Sequence, residues 1–364
     1  MTSQFTHDYT GIVLHETPLI DVRAPVEFAR GAFVNAVNLP LMNDEERHLV
    51  GICYKEKGSA EATRLGHQLV SGLIRAERTQ TWIAHLEKYP DSIIHCFGGD
   101  LRSQIAQQWI QEAAGRLIPR LKGGYKAFRN YLLTELNTSL EAIPVLLGGN
   151  TGSGKTVILK KLPNAIDLEA LANHRGSAFG AKLSPQPAQI TFENSMAYKL
   201  IQHRAKGYRS LIIEDEGSRI SRCIIPKAPA EYFNSGDIVL VELSLAERIE
   251  NIFHEYVLEA QQDYLAYYGE SGLAEWFLFM SAAMEKIKQR FGGHLPEMLT
   301  LLQSAYQKQR QSGDTSGHRR WIEMLLTEYY DPLYQRQLKK ASRKILFRGN
   351  AAEVTDYFKQ YCAD

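Results

Sequence analysis

The chain has 364 residues, more than one compact core usually covers, so two domains are expected. Its 44% apolar and 23% charged residues describe an ordinary globular protein rather than a disordered or fibrous one. A formal net charge of +1 excludes a protein that coats nucleic acid by bulk charge, so any such contact must come from local patches.

Four cysteines, Cys53, Cys96, Cys223 and Cys362, lie far apart without paired metal-ligand spacing. That spacing favours a reduced, cytoplasmic setting over a disulfide framework. The opening MTSQFTHDYT has no basic-then-apolar signal, and no apolar run approaches the roughly 20 residues that span a bilayer. No membrane partner is expected.

Residues 1–133 alternate apolar runs with helical patterns. Strands are expected at 17–22, 36–39, 92–95 and 117–121, with helices around 60–77 and 103–114. Residues 134–142, TELNTSLEA, form a polar linker with little reason to be buried. The pattern restarts in a second domain, 143–364, with a strand at 143–147, a glycine-rich turn and a helix. Further strands follow at 210–213 and 237–241. From about 245 to 344 nearly everything reads as amphipathic helix, closed by a strand at 345–347 and a last helix to 361. Strands interleaved with helices place both domains in the α/β class, each a parallel sheet covered on two faces, the second with a helical C-terminal extension.

Gly149-Asn-Thr-Gly152-Ser153-Gly154-Lys155-Thr156 fits G-x-x-x-x-G-K-[ST] between an expected strand and an expected helix. Such glycines let consecutive backbone N–H groups converge on phosphate oxygens, Lys155 adds a cation, and the Thr156 hydroxyl suits a magnesium ion. A chance glycine-rich turn is the alternative. The apolar strand before Glu214-Asp215-Glu216 has the form of the acidic partner, with Asp215 expected at the metal with Thr156; an acidic loop facing solvent is its alternative. Arg175, between small residues in His-Arg-Gly-Ser-Ala-Phe-Gly, suits a bidentate anion clamp.

In the first domain, HCFGGDLRSQ at 95–104 follows an apolar run. A cysteine at a helix N-terminus beside an arginine is expected to be partly thiolate and nucleophilic. The alternative is an inert buried cysteine. Cys53 has Lys55 nearby but no glycine cradle.

The strings Leu19-Ile-Asp-Val-Arg-Ala-Pro-Val-Glu-Phe28 and Ala36-Val-Asn-Leu-Pro40, with Cys96…Arg102-Ser103 and Leu121-Lys-Gly-Gly-Tyr125, resemble the rhodanese family. The whole chain, from about residue 8 to 360, resembles the bacterial tRNA 2-selenouridine synthases, a rhodanese-like domain followed by a P-loop NTPase-like domain. Leu41-Met-Asn-Asp-Glu-Glu-Arg47, Asp167-Leu-Glu169, Arg175–Gly180, Glu328-Tyr-Tyr-Asp-Pro332 and Phe347-Arg-Gly349 carry this resemblance.

The resemblance implies a transferase acting on the wobble uridine of tRNAs for lysine, glutamate and glutamine. It implies replacement of the sulfur of a 5-substituted 2-thiouridine by selenium from selenophosphate, after geranylation of that sulfur by geranyl diphosphate. A selenophosphate-supplying enzyme is an expected partner. On this reading the phosphate loop holds the diphosphate, while Cys96, with Arg102 and Ser103, assists the selenium exchange. The rhodanese loop pattern is Cys-x-Arg-Gly-Gly-x-Arg-Ser; here Gly98 replaces the inner arginine and Asp100 the second glycine. That change of two charge units opposes thiolate formation unless Asp100 turns outward.

A tRNA substrate needs a positive surface. Arg336, Lys339, Lys340 and Arg343 supply one candidate, with Arg336, Lys340 and Arg343 expected on one helical face; Arg204 and Arg209 supply another. Solvated basic faces are the alternative. Two rival functions remain open at this level: a P-loop kinase or nucleotidase with a rhodanese-like regulatory domain, and a non-catalytic tRNA-binding scaffold.

Overall fold

A computed structural model describes residues 5–99, 101–341 and 343–363, without the side chains of Cys362 and Ala363. Asp100, whose orientation bears on the cysteine loop, lies outside the described residues. The chain divides into two compact units.

The first unit comprises the chain up to Thr138 together with Pro187–Lys206. Its sheet contains β1 (Phe5–Thr6), β2 (Leu19–Asp21), β3 (Ala36–Asn38), β4 (Ile93–His95) and β5 (Arg120–Leu121), in the order β1-β5-β4-β2-β3. Every pairing is parallel. β2 and β4 are central and wholly buried, as their unbroken apolar runs require. The Asp-x-Arg of the second strand is structural. Arg23 meets the Asp21 carboxylate at 2.6 Å, donates to the Gly31 carbonyl at 2.8 Å, and lies 3.7 Å over the Tyr125 ring.

Helix boundaries in this unit differ from the sequence pattern. The expected helix over 60–77 is the end of one helix, Asp44–Leu69, and the start of another, Gly72–Lys88. The break falls at Val70-Ser71, where Gly72 takes φ +54°. The first of these helices is itself bent at Gly58, with φ 86° and ψ −179°. Only glycine adopts that conformation without strain.

The linker also differs. Residues 134–136 complete the helix Gly124–Leu136, and Leu136 and Ala142 are buried. The second domain, expected to run unbroken from 143, lends the helix Gln189–Ala205 to the first unit. Phe192, Met196, Tyr198, Leu200 and Ile201 are buried there, and Asn194 donates to the Ala32 carbonyl at 2.7 Å while accepting from Arg129 at 2.7 Å.

The second unit, Ser139–Gln186 with Gly207–Asp364, is built on β6 (Ile143–Gly149), β7 (Ala165–Ile166), β8 (Ser210–Glu214), β11 (Asp237–Val241) and β12 (Ile345–Gly349). A small antiparallel hairpin, β9 (Arg219–Ile220) and β10 (Cys223–Ile224), follows β8. The main sheet has the order β12-β11-β6-β8-β7 and is parallel throughout. β6 lies at its centre, so its C-terminal end opens between two neighbours. Ligands of open α/β sheets bind at such ends. The helices between Leu245 and Ala341 form the expected extension, packed round Trp276, Met280, Met284, Met298, Trp321 and Ile322.

Candidate functional site

Gly149 ends β6, and the chain winds tightly before the short helix Lys155–Leu159. Gly149, Gly152 and Gly154 take φ of +149°, +83° and +79°. Space is equally restrictive: a Cβ at Gly149 would lie 2.7 Å from both Ser153 Oγ and the Val241 carbonyl oxygen, and one at Gly152 2.9 Å from the Arg248 carbonyl oxygen. Lys155 Nζ donates to the Gly149 carbonyl at 2.9 Å, and among the described residues it makes no ion pair within 4 Å. Among the described residues, the buried Ser153 hydroxyl has no hydrogen-bond partner. Gly152, Ser153, Gly154, Lys155, Thr156 and Arg175 all line one cleft of about 470 Å³. A folded glycine loop with an uncommitted lysine is an anion site.

Three carboxylates stand at this cleft. Ligand oxygens of Glu169, Glu214 and Glu216 lie within 4.8 Å of one another. Glu214 is 2% exposed, and one of its oxygens has no hydrogen-bond partner among the described residues. Burial is the largest cause that pushes each carboxyl above its ordinary range. The charges of Glu214 and Glu216 add to this at Glu169, that of Glu216 at Glu214, and that of Asp215 at Glu216; Lys155 pulls all three the other way. An all-oxygen donor set with an unsatisfied buried oxygen, beside the Thr156 hydroxyl, fits magnesium. Gly176, beside Glu169, takes φ +67°, a conformation that favours glycine.

Asp215, expected at the metal with Thr156, does not join this carboxylate cluster. Glu214 and Glu216 face the cleft, while Asp215 meets Arg343 at 2.5 Å; alternation at a strand end sends adjacent side chains to opposite sides. Glu169 was passed over because its signal, Asp167 capping the helix Leu168–Leu171, looks purely structural. Arg175 reaches the cleft but is already engaged, 2.7 Å from Glu255 and 5.5 Å from the Tyr256 ring centroid.

A clamp behind the loop was also not foreseen. Arg248, 4% exposed, donates through Nε to the Thr151 carbonyl at 2.9 Å and through its fork to Asp331 at 2.6 and 3.0 Å. Asp331 also accepts from Asn150 Nδ2 at 2.8 Å. Adjacent residues of the loop, Asn150 and Thr151, are thus tied to one ion pair whose arginine is buried and whose carboxylate is half-buried. His254–Glu259 and Leu326–Tyr330 are π-helical, and each brings residues to the cleft, including Tyr256 and Tyr330. Such bulges frequently mark functional sites and break the 3.6-residue period, which hides them from pattern reading.

In the first unit, Cys96 follows β4 and is 3% exposed, its thiol donating to Ser103 Oγ at 3.5 Å. Its loop is pinned by backbone bonds from Tyr125 N to the Cys96 carbonyl and from Lys126 N to the Phe97 carbonyl, both 2.9 Å. Gly99 takes φ +76°, and a Cβ there would lie 2.5 Å from Gly124 N. Arg102 reaches the loop, but Glu27 grips its guanidinium at 2.6 and 3.2 Å. Burial raises the Glu27 carboxyl, yet the Arg102 bond and charge outweigh it and hold Glu27 below the ordinary range. Arg102 is therefore a neutralised cation at this loop.

The basic candidates separate. Arg336, Lys339 and Lys340 are exposed on the helix Asp331–Ala341. Arg343 does not share their face, because that helix ends before it and its guanidinium turns to Asp215 and Asn234. Arg209 is exposed, whereas Arg204 pairs with Glu135.

Comparison with known proteins accounts for both units. The family described as rhodanese-like domain matches residues 10–131, and the tRNA 2-selenouridine synthase AAA domain family matches 142–364. Relatives described as tRNA 2-selenouridine synthase include one from Sulfurovum sp., 50% identical over 97% of this chain and 98% of the relative. Another, from Hydrogenovibrio crunogenus, is 47% identical over the same shares. A third, from Cupriavidus pinatubonensis, is 44% identical over 98% of this chain and 99% of its own length. With a loop for phosphate, a pinned cysteine turn and near-full-length relatives at this identity, the chain belongs to the tRNA 2-selenouridine synthase family.

Proposed function

We propose that the chain is a tRNA-modifying enzyme that converts 2-thiouridine at the wobble position to 2-selenouridine through a geranylated intermediate. The tRNAs are those for lysine, glutamate and glutamine, the setting is the cytoplasm, and a selenophosphate-producing enzyme is the supplier. The observation that carries this reading is the uncommitted Lys155 inside a glycine loop beside three clustered carboxylates, of which Glu214 is buried and Glu169 and Glu216 are half-buried. That set suits a diphosphate accompanied by a divalent cation.

In the first step the thiocarbonyl sulfur attacks C1 of geranyl diphosphate. An S–C bond forms, the C–O bond breaks, N3 loses its proton, and diphosphate leaves. Lys155 and the loop N–H groups stabilise the charge that builds on the leaving oxygen. Glu169, Glu214, Glu216 and Thr156 would hold magnesium, which neutralises diphosphate charge when bound.

In the second step water cleaves the P–Se bond of selenophosphate, releasing phosphate and a selenium nucleophile. Selenium adds at C2, and the C2–S bond breaks with its electron pair leaving on geranylthiolate, which takes a proton. Cys96 and Ser103 assist this exchange. Exposed Arg336, Lys339, Lys340 and Arg209 supply tRNA phosphate contacts.

The test is mass spectrometry of wobble nucleosides after incubation with geranyl diphosphate and then selenophosphate. The expected sequence is 2-thiouridine, its S-geranyl derivative, then 2-selenouridine. Rapid tRNA-independent ATP turnover with no geranylated nucleoside would instead assign the cleft to nucleotide hydrolysis.

A further inference from the structure

The first unit contains a second cleft, of about 850 Å³, that the cysteine chemistry leaves unexplained. Its walls include Met42, Val50, Ala62, Val70, Ile105 and Trp109. The bend at Gly58 shapes it: Arg47–Lys55 line it from one arm of the helix Asp44–Leu69, and Ser59–His67 from the other. Four large apolar side chains, Ile52, Tyr54, Phe97 and Leu101, line the cleft while 40–60% exposed. Exposed apolar surface gathered round one concavity marks a binding site. The size and lining are those of a small-molecule pocket.

Two features identify the occupant. Phe97, from the loop that begins at Cys96, and Leu101 and Arg102, from the first turn of the helix Leu101–Ala114 that follows it, form part of the wall. A molecule in the cleft therefore has one end at the thiol loop. Lys55 also lines it, adding a cation suited to a nucleotide's phosphates, while Arg47 on the same wall lies 3.8 Å from Glu27.

We infer that this cleft of the first unit binds the prenyl chain of the S-geranylated nucleoside, holding the thioether at the cysteine loop. The inference rests on the geranylated intermediate proposed above. It gives the chain a role beyond activation: the hydrocarbon is the handle by which the cysteine site distinguishes activated from unactivated uridine.

The test compares binding of the full-length protein to two synthetic anticodon stem-loops, one with S-geranyl-2-thiouridine and one with 2-thiouridine at the wobble position. Wild type is expected to prefer the geranylated probe by at least about tenfold, the affinity of roughly two buried methylene groups. Ala62→Trp, which fills the cleft, is expected to erase that preference. Ile52→Asp, at an exposed rim position, should erase it too without loading the core; an unchanged thermal transition checks that it is folded.

A preference that survives Ile52→Asp in the folded protein, or equal wild-type affinity for both probes, overturns the inference. Erasure by phosphate-loop substitution alone also overturns it. Failure of the underlying reading looks different: wild type then makes no geranylated nucleoside from geranyl diphosphate, whatever the synthetic probes show.

Discussion

Two loops in this molecule occupy the same topological position. Each follows the buried central strand of a five-stranded parallel sheet and leads into a helix, one after β4 and one after β6. Both are wound by positive-φ glycines and pinned from behind. They differ in what is done with their cations. At the β6 loop, Lys155 is bound only to a carbonyl and stays available to a ligand. At the β4 loop, Glu27 consumes the charge of Arg102, and the adjoining cleft is lined mainly, though not wholly, by apolar side chains. Equivalent backbones thus yield an anion site in one unit and a thiol flanked by a hydrocarbon cleft in the other.

The largest test of that contrast removes the free cation. Lys155→Ala should reduce geranylation, and with it selenation, by about a hundredfold or more. Cys96→Ala should depress selenation while the geranylated nucleoside persists, as read from the nucleosides by mass spectrometry. If both substitutions halt the reaction at the same nucleoside, the two loops do not divide the chemistry as proposed.

Next comes the pinning of the phosphate loop. Asp331→Ala strands the Arg248 guanidinium, 4% exposed, without its carboxylate. Leaving a buried guanidinium without its half-buried partner in this way costs up to about 3 kcal/mol, measurable by denaturant titration. Diphosphate binding should weaken in the same variant, whereas alkylation of Cys96 in the first unit should not change.

A smaller effect follows from His318 in the helical extension, a region only the second unit has. Its Nδ1 accepts from Trp321 Nε1 at 2.9 Å, its Nε2 lies 2.9 Å from Gln309 Oε1, and burial pushes the imidazole down to about 4. The folded value lies below the unfolded one of about 6.5, so the unfolded chain binds more protons between them. Stability from this group is therefore complete above about pH 6.5 and is lost as pH falls toward 4, at up to about 1.4 kcal/mol per pH unit. The urea midpoint of the second unit should fall over that window, with a shallower slope in His318→Gln.

The smallest prediction turns one loop toward the other. Glu27→Gln releases the Arg102 guanidinium, and the rate of Cys96 alkylation by iodoacetamide should rise several-fold at unchanged pH. An unaltered rate would mean that Glu27 does not set the charge at the thiol.

Several of these sites were legible in advance. The glycine loop and the cysteine turn are contiguous in sequence, so spacing alone locates them. The central strands were equally plain, because burial on both faces demands unbroken apolar runs. Asp215 was misplaced within its own tripeptide, since composition does not say which of three adjacent acids faces a cleft. Glu169, Arg248 and Asp331 were missed because their partners are distant in the chain: Arg248 and Asp331 stand 83 residues apart.

By itself, then, the sequence determined the class of each unit, the places of the main strands along the chain and where the two loops fall. These follow from local propensity, short-range spacing and hydrophobic period. Tertiary structure alone decided which charges are free and which are spent. It paired Arg102 with Glu27, turned Arg343 to Asp215, gathered three acids from two segments round Lys155, and placed the helix Gln189–Ala205 in the first unit. The physical reason is that electrostatic neutralisation depends on distance in space, and a buried charge takes whatever partner the packing brings within reach.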